Sequence, residues 1–151
     1  MQIDYFYLWK GIDLRRKVIY IFLLTIFLVI VLIYFFSRKF EGNIIIVEKQ
    51  TDKFGTYEYY SKINNPDSIK SVKNILNKIY WSSAKVDMPY PPDYQFYFMN
   101  NDEDKSNRKN VSLWISPDRN KVALIFDGKY IQLNEEKSNK LFEILTGKKL
   151  E

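Results

Sequence analysis

The sequence predicts an α+β protein: one N-terminal transmembrane helix, then a small antiparallel-sheet domain with two helices on one face, in the order β-β-α-β-β-β-β-α. Three observations carry this expectation. Val18 to Phe36 reads VIYIFLLTIFLVIVLIYFF, nineteen residues without a charge, glycine or proline. Ile69, Val72, Ile75, Leu76 and Ile79 recur at three- and four-residue steps, the period of one helix face. The remaining apolar residues fall mostly into short β-branched and aromatic runs bounded by turn residues, as strands do.

At about 1.5 Å rise per residue the apolar run spans roughly 28 Å, the thickness of a hydrocarbon core. Only Tyr20, Thr25 and Tyr34 interrupt its Val, Ile, Leu and Phe residues. At about −0.3 to −0.6 kcal/mol for each, insertion is favoured by at most roughly 5 to 10 kcal/mol. The run is longer than the core of a secretory signal, and SRKFEG follows it where a small-residue cleavage site would stand. The expectation is therefore an uncleaved signal-anchor over 18–36. Before it, residues 1–17 form an arm in which Tyr5, Phe6, Tyr7 and Trp9 stand beside basic residues, a composition suited to the inner membrane interface. Arg15, Arg16 and Lys17 lie against Arg38 and Lys39 on the far side, which favours a cytoplasmic N-terminus and an extracytoplasmic domain over 40–151.

Within that domain, Asn43 to Glu48 (NIIIVE) and Thr56 to Ile63 (TYEYYSKI) read as two strands of a hairpin, with Gly55 in the turn. Asn65 is placed to cap the first soluble helix, Pro66 to begin it, and Asp67 to complement its dipole. Lys85 to Pro92 (KVDMPYPP) has three prolines in four positions and is restricted to extended geometry. Strands follow at Tyr94 to Met99, Val111 to Ser116, Lys121 to Phe126 and Lys129 to Leu133, the last two joined by Asp127-Gly128, a two-residue hairpin signal. Asn134 caps a final helix with Leu141, Phe142 and Leu145 inward, and Gly147 ends it. Trp114 and the tyrosines are expected to bury their rings in the single core.

Composition narrows the chemistry. The chain has no cysteine and no histidine, so disulfides, thiolate nucleophiles, Cys/His zinc sites and His-dependent triads are excluded. Mean hydropathy is −0.31 despite 46% hydrophobic residues, because the apolar span and a polar domain are averaged together. The net charge of +5 sits mostly beside the span, and a near-neutral domain with interspersed signs is no phosphate-binding surface. Nucleic acid is therefore not an expected partner. Asn100 to Asp104 (NNDED) gathers oxygens without the spacing of a calcium loop. Ser82-Ser83-Ala84-Lys85 reads S-x-x-K by chance, since its companion motifs are missing. Thr146-Gly147-Lys148 lacks the rest of a phosphate loop. Asn110-Val111-Ser112 is a glycosylation sequon, relevant only in a eukaryote, whereas the Lys, Asn and Ile abundance suggests an AT-rich bacterial gene. No cofactor and no metal are expected.

The runs MPYPPDYQFYFMN, VSLWISPDRNKVALIFDGKYIQL and SNKLFEILTG resemble the YhfM-like domain of Bacillus-type bacterial surface proteins, over about the last 65 residues. The resemblance implies an extracytoplasmic domain and brings no catalytic residues. Such proteins are usually lipid-anchored through cysteine, whereas this chain carries an apolar span.

Together these readings describe a single-pass membrane protein, not an enzyme, whose outer domain is a binding or interaction module of the cell envelope, as a complex subunit or an immunity-type protein. The bilayer and an envelope protein are its expected partners. Trp81, Tyr90 and Tyr94, around the proline-rich stretch, are the candidate contacts. The alternative is a carboxylate-dependent hydrolase of envelope polymers using two of Asp87, Asp93, Asp118 and Asp127, although nothing in their spacing selects a pair.

Overall fold

A computed structural model of the chain describes residues 5–36, 40–84, 86–100 and 109–150. The chain divides into two compact units, Met1–Lys39 and Phe40–Glu151.

Among its described residues the first unit is one helix, α1 (Tyr5–Phe36). Its backbone is helical from Tyr5 onward, so residues 5–17 of the arm and the apolar run form one continuous element. None of the window Arg16–Ile33 is buried, and the helix is long and apolar enough to cross a membrane. The Thr25 hydroxyl donates to the Phe22 carbonyl at 2.8 Å, which satisfies a polar side chain inside the helix.

The second unit is a six-stranded antiparallel sheet with two helices on one face. Its strands are β1 (Ile44–Gln50), β2 (Tyr57–Ile63), β3 (Tyr94–Met99), β4 (Val111–Ile115), β5 (Val122–Phe126) and β6 (Lys129–Gln132), with helices α2 (Pro66–Asn77) and α3 (Glu135–Thr146). The strand order is β2-β1-β3-β4-β5-β6. Helix α2 thus carries the chain from β2 across β1, and β3 pairs with β1 from Ile44↔Met99 to Lys49↔Tyr94. Central position explains the composition of β1: Ile45 and Val47 are fully buried against the helices, and Ile44 is buried on the opposite face. Ile46, next along that opposite face, is half-buried, so apolar residues fill both faces of this central strand instead of alternating with polar ones.

Alternate residues of the strands, among them Phe96, Leu113 and Leu124, meet Ile69, Val72 and Leu76 of α2 and Leu141, Phe142 and Leu145 of α3 in one core. Both helix starts follow the expected chemistry. The Asn65 side chain accepts from Ser68 N–H at 2.9 Å, and that of Asn134 accepts from Lys137 N–H at 3.0 Å. Gly147, with φ 71°, returns its N–H to the Glu143 carbonyl at 2.8 Å. Helix α2 stops at Asn77, so Ile79 packs on the core from beyond its end.

Two features of the domain have no local signature. Gly42 adopts φ +134°, and a Cβ there would lie 2.7 Å from the Met99 nitrogen and 2.8 Å from its oxygen. The backbone approaches β3 so closely because Asn43 N–H donates to Met99 at 3.0 Å. A bulge in β2 puts Ser61 opposite Val47 and Tyr59 opposite Glu48, leaving Tyr60 as the extra residue. Tyr60 and Ser61 consequently point to the same side. Their hydroxyls donate to the Thr146 carbonyl at 3.3 Å and the Leu145 carbonyl at 2.8 Å. The bulge thereby supplies donors to carbonyls that the end of α3 leaves without helical partners.

The expected burial of the aromatic rings needs correction. Tyr94 lies in the core and Tyr97 is buried on the opposite face, but Tyr59, Tyr80 and Tyr90 are exposed at 65%, 88% and 73%. Trp114 is half-buried and points away from the helices, because Val111 and Leu113 take the core side of β4 and strand residues alternate.

Candidate functional site

The proline-rich stretch that the sequence singles out forms a strap. Past the end of α2, the Trp81 indole N–H donates to the Leu76 carbonyl at 3.1 Å, occupying an orphan acceptor of that helix. Its ring packs by Phe40 and Phe126, with centroids 6.3 and 5.9 Å away. Ser82 then exchanges two backbone hydrogen bonds with Tyr130, at 2.8 and 2.9 Å, and so covers part of the β6 edge. Unpaired edge strands invite association, and this bridge blunts one.

From there the chain turns to the helix-free face. The Trp114 indole N–H donates to the Tyr90 carbonyl at 2.8 Å, and the Tyr57 hydroxyl donates to the Pro92 carbonyl at 2.9 Å. Prolines suit this stretch because it forms no ladder that would need their missing N–H. Asp93 ends the strap. Its carbonyl accepts from Gln50 N–H at 3.0 Å and its carboxylate from Ile115 N–H at 2.7 Å, so a side chain extends the β3–β4 pairing where backbone pairing stops.

The three candidate contact residues therefore meet different fates. Tyr90 keeps an open ring and contributes its backbone carbonyl to the fold. Trp81 is half-buried and caps α2. Tyr94 is buried, edge-on to Tyr60 at 5.5 Å and to Phe142 at 5.7 Å. Burial raises the Tyr94 hydroxyl pKa above its ordinary value, with Tyr60 and Asp93 adding to the effect. Tyr57 is raised as well, first by burial, with a hydrogen bond to Gln95 opposing and Asp93 contributing. The most open aromatic rings of the domain include Tyr80 and Phe54 at 88% and 80%. Phe54 was not singled out in the sequence, yet its place beside Gly55 in a polar turn was the available signal.

Two of the carboxylates that the hydrolase alternative draws on stand well apart. Asp118 and Asp127 occupy the turns at opposite ends of β5, a five-residue strand. About 17 Å of extended chain separates them, against the roughly 5 to 9.5 Å between a glycosidase's two carboxyls. Asp93 is engaged in the sheet and Asp87 is exposed on the strap. Among the described residues no three of His, Cys, Asp and Glu converge as a metal site would require. Beyond Asn100, the oxygen-rich run to Asp104 lies outside the described residues, as does Lys85 of the S-x-x-K match.

An antiparallel six-stranded sheet backed by two helices, preceded by an apolar helix of membrane-spanning length, defines the class: an α+β domain with a candidate anchor. The family model described as YhfM protein matches residues 38–151, and the chain belongs to the YhfM family. The match begins well before the stretch in which the sequence showed its resemblance and takes in β1, β2 and α2. No curated protein matches the chain. Among solved structures, the chain is similar to a thioesterase-like protein from Clostridium sporogenes ATCC 15579, at 17% identity and a TM-score of 0.46, over 68% of this chain and 92% of that one. This likeness runs against the expectation of a non-enzymatic interaction module, and that expectation is withdrawn. The expected lack of enzymatic activity likewise stands beside a distant likeness to a thioesterase-like protein. Likeness at this level transfers neither a substrate nor a residue role to the chain.

Proposed function

We propose that the chain is a single-pass membrane protein that holds a YhfM domain outside the cytoplasm, with α1 as the anchor and the N-terminus inside. The carrying observation is the unburied apolar surface of Arg16–Ile33. Burying one Leu, Ile or Phe side chain is worth about 1.5–3 kcal/mol, so a bare apolar helix in water is strongly disfavoured, and a bilayer covers it on all sides. Among the described residues, the buried cluster of the domain is drawn from Phe40 onward. The basic residues at 15–17 outnumber those at 38–39, which favours the N-terminal side in the cytoplasm. The YhfM-like resemblance to surface proteins points the same way.

Membrane fractionation with alkaline carbonate washing tests the anchor, and a reporter active only outside the cytoplasm, fused after Glu151, tests the orientation. The intact chain is expected to stay in the washed membrane and the reporter to be active. Replacing Leu24 and Leu28 with Arg shifts insertion by about 3–4 kcal/mol each, enough to offset most of the span's favourable transfer, and is expected to release the protein. Release of the unaltered chain by carbonate overturns the anchor. A silent reporter on a well-expressed, membrane-retained fusion overturns the orientation alone.

A further inference from the structure

We draw no further inference here: the strongest candidate, the helix-free face of the sheet around Ile46, Tyr59, Trp114 and Tyr130, is an apolar face for which nothing in the structure shows what covers it.

Discussion

Replacing Gly42 with alanine introduces two separable costs at one position. A φ of +134° strains any residue with a Cβ, by about 1–3 kcal/mol. The new Cβ also sits 2.7 Å from the Met99 nitrogen, 2.8 Å from its oxygen and 3.0 Å from the Phe98 Cβ. Two of those neighbours are backbone atoms of a paired strand, so relief requires moving β3 and costs about 1–3 kcal/mol more. Any shift also stretches the Asn43–Met99 hydrogen bond and the 2.6 Å contact from the Lys73 ammonium to the Gly42 carbonyl. A loss of about 4 kcal/mol is a large part of the roughly 5–15 kcal/mol that holds such a domain together. Urea unfolding of residues 40–151, followed by tryptophan fluorescence, reads the effect. With a slope near 1.5 kcal/mol/M the midpoint is expected to fall by about 2–3 M. Gly55→Ala is the control: its φ is +71°, but nothing lies within 4 Å of the added Cβ, so only strain of about 1 kcal/mol is expected. If Gly42→Ala lowers the midpoint no further than Gly55→Ala does, close approach to β3 is not what requires glycine at position 42.

Four other outcomes are expected. Residues 40–151 expressed alone should be soluble and unfold in one cooperative transition, as seen by calorimetry, and aggregation without a transition would show that the core is incomplete. Ser61→Ala and Tyr60→Phe should each cost about 1 kcal/mol by urea titration, because each strips a donor from a carbonyl at the end of α3; no change in either would deny the bulge that role. Asp93→Ala should cost about 1–2 kcal/mol by leaving the Ile115 N–H without its acceptor, whereas Asp93→Asn keeps an acceptor oxygen and should recover most of the loss. Finally, a raised Tyr94 pKa means the native state holds its proton more tightly than the unfolded chain. Stability is then full below pH about 10 and falls as pH rises through the folded-state value. Urea midpoints at pH 8, 10 and 11 should decline less steeply for Tyr94→Phe than for the parent, and parallel curves would remove Tyr94 from the explanation.

What was legible beforehand was local. Asn65 and Asn134 announce helix starts because a short polar side chain can serve an orphan N–H three residues on. Asp127 and Gly128 announce a hairpin because both take positive φ, 52° and 70°, as a tight turn with the native twist demands. The site was less legible. Proline and aromatic density drew attention to 81–94 but could not tell an exposed ring from a packed one. Trp81, Tyr90 and Tyr94 look alike in composition, and their burial was decided by which strand face or helix end each met. Asp93 read as a turn residue or an acid, and its contact with Ile115, across the β3–β4 pair, lies beyond any local pattern.

By itself, then, the sequence determined the apolar helix at the N-terminus, the six strands, the two soluble helices with their caps, and the faces those helices bury. Each follows from hydrogen bonding and burial within a few residues. Tertiary structure alone decided that β3 enters beside β1, that β2 bulges to serve the end of α3, that the proline-rich stretch straps the helix-free face, and that Gly42 must be glycine. Those depend on pairs such as Gly42 with Met99 and Ser61 with Leu145. Register across a sheet is settled only once distant segments compete for the same backbone partners.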